Sequence, residues 1–137
     1  MNIDVKTTWS GKMAFESNVD GHQIKMDADA SVGGDDSGAR PKKLLLAGLA
    51  GCTGMDVVSI LDKMKVSFDS FEIITDAVQT EDHPKVYEKI TITYVFSGKD
   101  LPEDKLRRAI ELSQDKYCGV SAMLRKSSEL DWKLVIK

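Results

Sequence analysis

Apolar and polar residues alternate along the first part of the chain. The alternation runs through residues 3–9, continues through residues 13–15 and resumes at residues 24–26 after an Asp20-Gly21 pair. A period of two is typical of half-buried strands, and Asp-Gly is a favoured hairpin turn. The pattern predicts three short antiparallel strands, followed at residues 31–40 by a loop rich in Gly, Asp and Ser. The apolar positions of the strands are Ile3, Val5, Trp9, Met13, Phe15, Ile24 and Met26.

A long apolar segment follows the loop. Pro41 occupies a position suited to the first residue of a helix, and no proline interrupts residues 42–66. Apolar residues cover nearly all faces of the first half, so we expect a long, largely buried central helix. Three glycines, Gly48, Gly51 and Gly54, lie inside it. Each costs roughly 1 kcal/mol relative to alanine in a helix interior, so something must need the room that they leave.

The second half of the chain predicts two further strands, two helices and a last strand. Apolar residues alternate over residues 71–77, 90–96 and 130–136, which indicates strands. Pro102 opens a second helix, Gly119 breaks it, and residues 120–126 form a short third helix. The predicted order is β-β-β-α-β-β-α-α-β, an α+β fold in a single domain over residues 1–137. The second helix is expected to turn inward Leu106, Ala109, Ile110, Ser113 and Tyr117.

Charge and composition exclude several classes of function. The net charge is −3 with a pI near 5.4, whereas nucleic-acid-binding proteins usually carry a basic patch. The N-terminus is polar, which predicts no signal peptide, and Asp56 interrupts the apolar run at residues 44–61, which argues against a membrane span. We therefore expect a cytoplasmic protein that binds neither nucleic acid nor membranes. In that reducing compartment two cysteines are more often catalytic than a structural staple.

The two cysteines, Cys52 and Cys118, are the first candidates for chemistry. Cys52 on its own is compatible with a small buried apolar residue. Cys118 precedes Gly119 at the start of the predicted third helix, where unpaired N–H groups favour a thiolate. Cys52 lies about 16 Å beyond the helix start, so any activating charge must come from side chains or another element. Asp56 lies one turn after Cys52, where a carboxylate would raise the thiol pKa; hydrogen bonding to backbone is its more ordinary role.

A metal site is not expected from the spacing of the possible ligands. The cysteines are 66 residues apart, which excludes a CxxC motif or a simple zinc knuckle. Neither His22 nor His83 lies near a cysteine in the sequence.

Two segments carry a resemblance to a known family. RPKKLLLAGLAGCTGMDVVSIL resembles the core signature of the OsmC/Ohr family, in which a Pro-x-x-Leu-Leu helix start leads to small residues and a cysteine. RRAIELSQDKYCGVSAMLRK is similar to the second-cysteine segment of that family. The resemblance covers essentially the whole chain. It implies an intertwined homodimer that reduces organic hydroperoxides without a cofactor, with close packing of the two central helices explaining the glycines.

The resemblance also assigns site residues. It makes Cys52 the peroxidatic cysteine and Cys118 the resolving cysteine, with an external dithiol restoring both thiols. Lys42 stands where hydroperoxide-reducing members carry a glutamate, and no arginine precedes Arg40. Arg40 and Lys42 would then supply positive charge from the partner subunit, and Lys12 is the nearest candidate by position for the missing arginine. We expect one of these three cations to make Cys52 more acidic than a free cysteine. The expected apolar pocket has Met55, Phe68 and Tyr117 as candidate wall residues.

A second interpretation belongs to another class of function. The missing glutamate and arginine favour a non-catalytic protein that binds an apolar ligand in the same pocket, with cysteines that are idle or merely redox-responsive. The two retained cysteines favour the peroxidase.

Overall fold

The computed structural model describes all residues, 1–137, and confirms the predicted order of elements. The chain forms two compact units, Met1–Leu45 and Leu46–Lys137. The first holds the three N-terminal strands and the following loop, and the second holds the remaining strands, most of the central helix and the two later helices. The fold is therefore of the α+β type, with two separate three-stranded sheets.

The first unit contains an antiparallel sheet of strands β1 (Lys6–Gly11), β2 (Ala14–Val19) and β3 (His22–Met26). β1 begins later than the alternation predicts, so Ile3 and Val5 precede the sheet and are exposed. Within this chain the larger apolar side chains of the sheet are mostly exposed, namely Trp9 at 64%, Phe15 and Ile24. The predicted loop contains a short 3₁₀ turn at Ala30–Val32. Alternation alone therefore predicted the strands but not what, if anything, covers them.

The aspartate Asp27 organises this loop. Its carboxylate accepts hydrogen bonds from the backbone N–H groups of Ala28, Asp35 and Ser37 and from the Ser37 hydroxyl. The Ser37 hydroxyl and these N–H groups hold the pKa of Asp27 well below its usual range. Asp27 therefore stays ionised and fixes the loop that leads into the central helix.

The central helix, α1 (Pro41–Lys63), starts at Pro41 as predicted. Within one chain its buried residues form one stripe at intervals of four, namely Leu49, Thr53, Val57 and Leu61. The expectation of a largely buried helix is therefore wrong for the single chain, in which Met55 is 76% exposed. Helix α1 is long and apolar enough to cross a membrane, but core helices of soluble proteins can have the same length and composition. Hydrophobicity alone could not reveal which apolar faces the chain itself covers.

The second unit has a sheet in the order β4-β5-β6, comprising β4 (Ser70–Gln79), β5 (Tyr87–Ser97) and β6 (Glu129–Ile136). β5 pairs antiparallel with β4 and parallel with β6. Helix α2 (Glu103–Leu112) has acidic residues in its first turn, where their negative charge interacts favourably with the positive end of the helix dipole. A π turn (Ser113–Tyr117) and helix α3 (Gly119–Leu124) follow.

The core of the second unit lies around the middle strand, β5. Its fully buried side chains come from α1, β5 and α2, and Cys118 joins the same cluster. Four of the predicted inward positions of the second helix, Leu106, Ala109, Ile110 and Ser113, are buried. Tyr117 is 53% exposed, so its predicted inward position is wrong. The π turn inserts extra residues per turn and changes the direction of the side chains after Ser113.

Four buried polar side chains, Thr53, Tyr94, Ser113 and Gln114, form a network that we call the polar cluster. Thr53 Oγ1 lies 2.7 Å from both the Tyr94 hydroxyl and Ser113 Oγ. Gln114 Nε2 donates to the Tyr94 hydroxyl over 2.8 Å. Burial raises the pKa of Tyr94, which keeps its hydroxyl protonated. The cluster joins α1, β5 and the π turn, because each element supplies at least one member.

The Tyr94 hydroxyl should contribute measurably to stability. We expect Tyr94→Phe to lower the free energy of unfolding by about 1–3 kcal/mol, because Thr53 and Gln114 would lose a buried partner. Tyr117→Phe is the matched control, since it removes an exposed hydroxyl and should change stability by less than about 0.5 kcal/mol. Urea denaturation measures both. Equal effects of the two changes would show that the polar cluster does not stabilise the fold.

Candidate thiol site

The structure brings Cys52 and Cys118 together beside Asp56. The two Sγ atoms and a carboxylate oxygen of Asp56 all lie within 4.8 Å of one another. Both cysteines are free thiols; Cys52 is half-buried and Cys118 is only 3% exposed. We call these three residues the thiol cluster. All of it lies within the second unit, Leu46–Lys137.

Two turns of backbone position Cys118. The π turn ends at Cys118, whose N–H donates to the Ser113 carbonyl over 2.7 Å. Cys118 is also the N-cap of α3, and its Sγ accepts a hydrogen bond from the N–H of Ser121 at 3.3 Å. The predicted location at the start of the third helix is therefore confirmed. The N–H of Ser121 thus fixes the direction of the Cys118 sulfur at the first turn of α3.

A side chain, and not the backbone partner that the sequence suggested, holds Asp56. Ser113 Oγ donates to Asp56 Oδ2 over 2.9 Å. Since Ser113 also bonds Thr53 Oγ1, the carboxylate is connected to the polar cluster. Sequence reasoning placed Ser113 on an inward face but missed this function. The only available signal was a run of polar residues, Ser113 and Gln114, in a segment whose inward face is otherwise apolar.

The surroundings of Cys52 disfavour its thiolate. Burial raises the pKa of the Cys52 thiol, and Cys118 and the negative charge of Asp56 raise it further. A hydrogen bond from the N–H of Val120 acts in the opposite direction. Within the single chain burial has the largest effect on this pKa and Asp56 adds negative charge, so the predicted acidity of Cys52 requires positive charge from a partner subunit and stays a prediction.

The candidate cations Lys12 and Arg40 form ion pairs within the first unit. Lys12 Nζ lies 2.8 Å from Asp35 Oδ1, and this hydrogen bond and charge raise the pKa of Lys12. The Arg40 guanidinium places Nη1 at 2.8 Å from Asp36 Oδ1 and Nη2 at 3.6 Å from Asp29 Oδ2. Lys42 lies in the first turn of α1. All three belong to Met1–Leu45, whereas the thiol cluster belongs to the other unit.

Two grooves lie along the exposed part of α1. The larger, of about 710 Å³, is mainly apolar and we call it the apolar groove. The smaller, of about 200 Å³, is lined by Asp56, Met55 and Tyr117 among others. Of the three predicted wall residues, Met55 therefore lines both grooves and Tyr117 the smaller. Phe68 lines neither and instead packs against Phe71 and Phe96. The residues lining the apolar groove are Ala50, Gly51, Gly54, Met55, Val58, Ser59, Asp62, Phe71 and Ile73.

Comparison with known proteins identifies the family. Residues 34–133 match the family described as OsmC-like protein. The Escherichia coli protein YhfA is 30% identical over 126 residues, covering 91% of each chain. The crystal structure of a hypothetical protein from Aquifex aeolicus superposes with a TM-score of 0.83 at 32% identity, covering 100% of this chain and 99% of the other. The fold is also that of the organic hydroperoxide resistance protein OhrB of Bacillus subtilis, with a TM-score of 0.63, 22% identity and coverage of 96% and 98%. The chain belongs to the OsmC-like family.

Proposed function

We propose that this protein is a cysteine-based peroxidase that reduces organic hydroperoxides in the cytoplasm, with Cys52 and Cys118 as the catalytic pair. The observation that supports this most strongly is the position of the two Sγ atoms within 4.8 Å of each other in an OsmC-like chain. They lie 66 residues apart in sequence, so the fold alone brings them together. Several structures with the same fold belong to proteins named for resistance to organic hydroperoxides.

The proposed reaction has three balanced steps. The Cys52 sulfur attacks the outer peroxide oxygen, the O–O bond breaks, and the thiol and ROOH become a sulfenic acid and the alcohol ROH. The Cys118 thiol then attacks the sulfenic sulfur, an S–S bond forms and water leaves. An external dithiol reduces this disulfide by thiol–disulfide exchange and is itself oxidised to a disulfide. No cofactor takes part in this sequence.

Cys52 is the better nucleophile of the pair by position. Its side chain is half-buried, whereas Cys118 is almost completely enclosed and is better placed to resolve an oxidised neighbour. The smaller groove reaches Asp56, the residue one turn from Cys52, and offers Met55 and Tyr117 as apolar contacts for an alkyl group. A substrate in this groove would thus approach the thiol cluster from the exposed face of α1.

We further propose that the protein works as a homodimer. Helix α1 exposes the apolar residues Leu45, Met55 and Val58. A second copy of the chain that covers them is the best explanation for this exposure. An added Cβ at Gly48 or Gly51 would meet nothing within 4 Å in the single chain. These glycines are therefore unexplained by contacts inside the chain, but a closely packed partner helix would require them. The partner would also be the source of a cation for Cys52, from Arg40, Lys42 or Lys12.

A non-catalytic ligand-binding protein is the second candidate. The raised pKa of Cys52 and the size and apolar lining of the groove favour it. In that case an apolar ligand would occupy the groove while both thiols survive peroxide treatment. The cysteine variants described next distinguish the two functions.

Replacing each cysteine should cause a different failure. Cys52→Ser should abolish peroxide consumption, because a serine hydroxyl stays protonated near neutral pH and is a poor nucleophile. Cys118→Ser should react once and leave a sulfenic acid on Cys52, which excess peroxide converts to the sulfinic form. Intact-mass spectrometry would detect a loss of two hydrogens in the wild type and a gain of oxygen in Cys118→Ser. Oxygen on Cys118 with Cys52 still free would reverse the assignment, and no change in mass with any peroxide would support the binding protein.

Asp56 should tune the reactivity of Cys52. Its negative charge raises the thiol pKa, so Asp56→Asn should lower that pKa and move the pH midpoint of Cys52 alkylation downward. The rate of iodoacetamide alkylation against pH, measured with a chelator and Cys118 replaced by serine in every sample, provides the test. Asp62→Asn, an exposed aspartate on the same helix, should leave the midpoint unchanged. A midpoint that is unchanged or higher in Asp56→Asn would contradict the electrostatic account.

The Gly51→Ala substitution should reveal whether α1 packs against a partner. If no partner helix contacts this face of α1, replacing glycine by alanine should stabilise the chain by about 1 kcal/mol. In a closely packed dimer the added methyl group would overpack the contact, so the variant should dissociate at a higher protein concentration than the wild type. Sedimentation velocity over a concentration series measures this. A wild type that is monomeric at micromolar concentration, with a stabilised Gly51→Ala variant, would exclude the dimer.

A further inference from the structure

The thiol cluster contains three potential metal ligands from distant parts of the sequence. The sequence predicts no metal site, because the cysteines lack short spacing and neither histidine lies near them in the sequence. The fold nevertheless brings two thiols and a carboxylate within 4.8 Å of one another. We propose that the reduced protein binds one Zn²⁺ ion through Cys52 Sγ, Cys118 Sγ and one oxygen of Asp56. This proposal does not depend on peroxidase activity.

The distances are close to those of a zinc site. With Zn–S bonds of about 2.3 Å and tetrahedral angles, two ligating sulfurs lie about 3.8 Å apart. The donor atoms here lie within 4.8 Å of one another, so a contraction of about 1 Å between the two sulfurs, and of slightly more between sulfur and oxygen, would complete the geometry. Because all three ligands belong to one chain and one unit, the site needs no partner subunit.

The backbone fixes the direction of each ligand. Cys52 and Asp56 are four residues apart on α1 and therefore lie on the same face of the helix. Cys118 is held from two sides, by its own N–H bond to Ser113 and by the N–H of Ser121 at its sulfur. A rigid helix thus supplies two ligands, and a constrained turn supplies the third.

Hydrogen bonds around the ligands resemble the outer shell of a metal site. Ser113 donates to Asp56 Oδ2, which orients the carboxylate and leaves its second oxygen for a cation. Ser113 is itself held by Thr53 of the polar cluster. In addition, Ser121 Oγ is fully buried without a hydrogen-bond partner, although its own N–H contacts the Cys118 sulfur. Buried polar atoms seldom lack a partner, so this region has polar capacity that the protein alone does not use.

The chemistry of the ligands selects zinc over magnesium or calcium. Two thiolates are soft ligands that favour Zn²⁺, whereas Mg²⁺ and Ca²⁺ prefer oxygen. Three protein ligands leave the fourth tetrahedral position open. Binding displaces both thiol protons and holds both sulfurs, so a zinc-loaded protein should resist oxidation and alkylation. Zinc would thereby compete with any oxidant for the same two thiols.

Cobalt provides a spectroscopic test that involves no peroxide. Adding Co²⁺ to the reduced wild type should produce a thiolate-to-cobalt charge-transfer band and tetrahedral visible bands, and Zn²⁺ should remove both. Cys118→Ser should reduce the charge-transfer intensity per bound cobalt to about half, because one of two thiolates is lost. Ser113→Ala should weaken cobalt binding by about 10–100-fold, since it removes the hydrogen bond that orients Asp56. Asp56→Asn should weaken it at least as much.

Matched measurements keep the outcome interpretable. Asp62→Asn on the same helix should bind cobalt as the wild type does, and circular dichroism should confirm that each variant is folded. Absence of the charge-transfer band in the reduced wild type would overturn the proposal. An affinity that is unchanged in Asp56→Asn would also overturn it, because the cation would then be held by the thiols alone. Neither result would affect the proposed peroxidase, which rests on the oxidation of the same thiols.

Discussion

The hydrogen bonds of Ser113 are the interaction on which the site depends. Its hydroxyl bonds Thr53 and Asp56 of α1, and its carbonyl accepts the N–H of Cys118. One buried residue therefore ties the central helix to the turn that carries the second cysteine. Two thiols 66 residues apart have no local reason to meet, and this connection keeps them together. Because the network is buried and its members satisfy one another, loss of any member removes a hydrogen-bond partner from its neighbours.

The same arrangement opposes the reactivity that it prepares. Burial, a second thiol and the Asp56 carboxylate all raise the pKa of Cys52, so the single chain disfavours the Cys52 thiolate. A peroxidase would need positive charge at the site, and the candidate cations Lys12 and Arg40 are paired with carboxylates in their own unit. This tension has two physical resolutions. A second copy of the chain would bring a cation, or a bound metal ion would displace the protons directly.

The order of elements could be predicted from the sequence because short-range patterns of apolar, polar and helix-breaking residues determine it. The two-residue alternation predicts strands locally, and Pro41 and Gly119 each predict a helix boundary at their own position. The cysteine motifs identified the family. What failed was tertiary in origin. The burial of α1 depends on which of its apolar faces contacts another element. Tyr117 points outward because a π turn follows α2. Asp56 accepts a hydrogen bond from Ser113, which is 57 residues away in the sequence. The acidity of Cys52 stays a prediction, since it depends on charged groups that a second chain would bring to the site.

We propose that Cys52 and Cys118 act as one redox unit within a single chain. Peptide mapping of the reduced wild type after one equivalent of cumene hydroperoxide, combined with a count of free thiols, tests this proposal. We expect the loss of two thiols per peroxide and a linked pair of peptides containing Cys52 and Cys118. Isotopically mixed subunits would show that the link lies within one chain. Two intact thiols, or a disulfide between subunits, would contradict it.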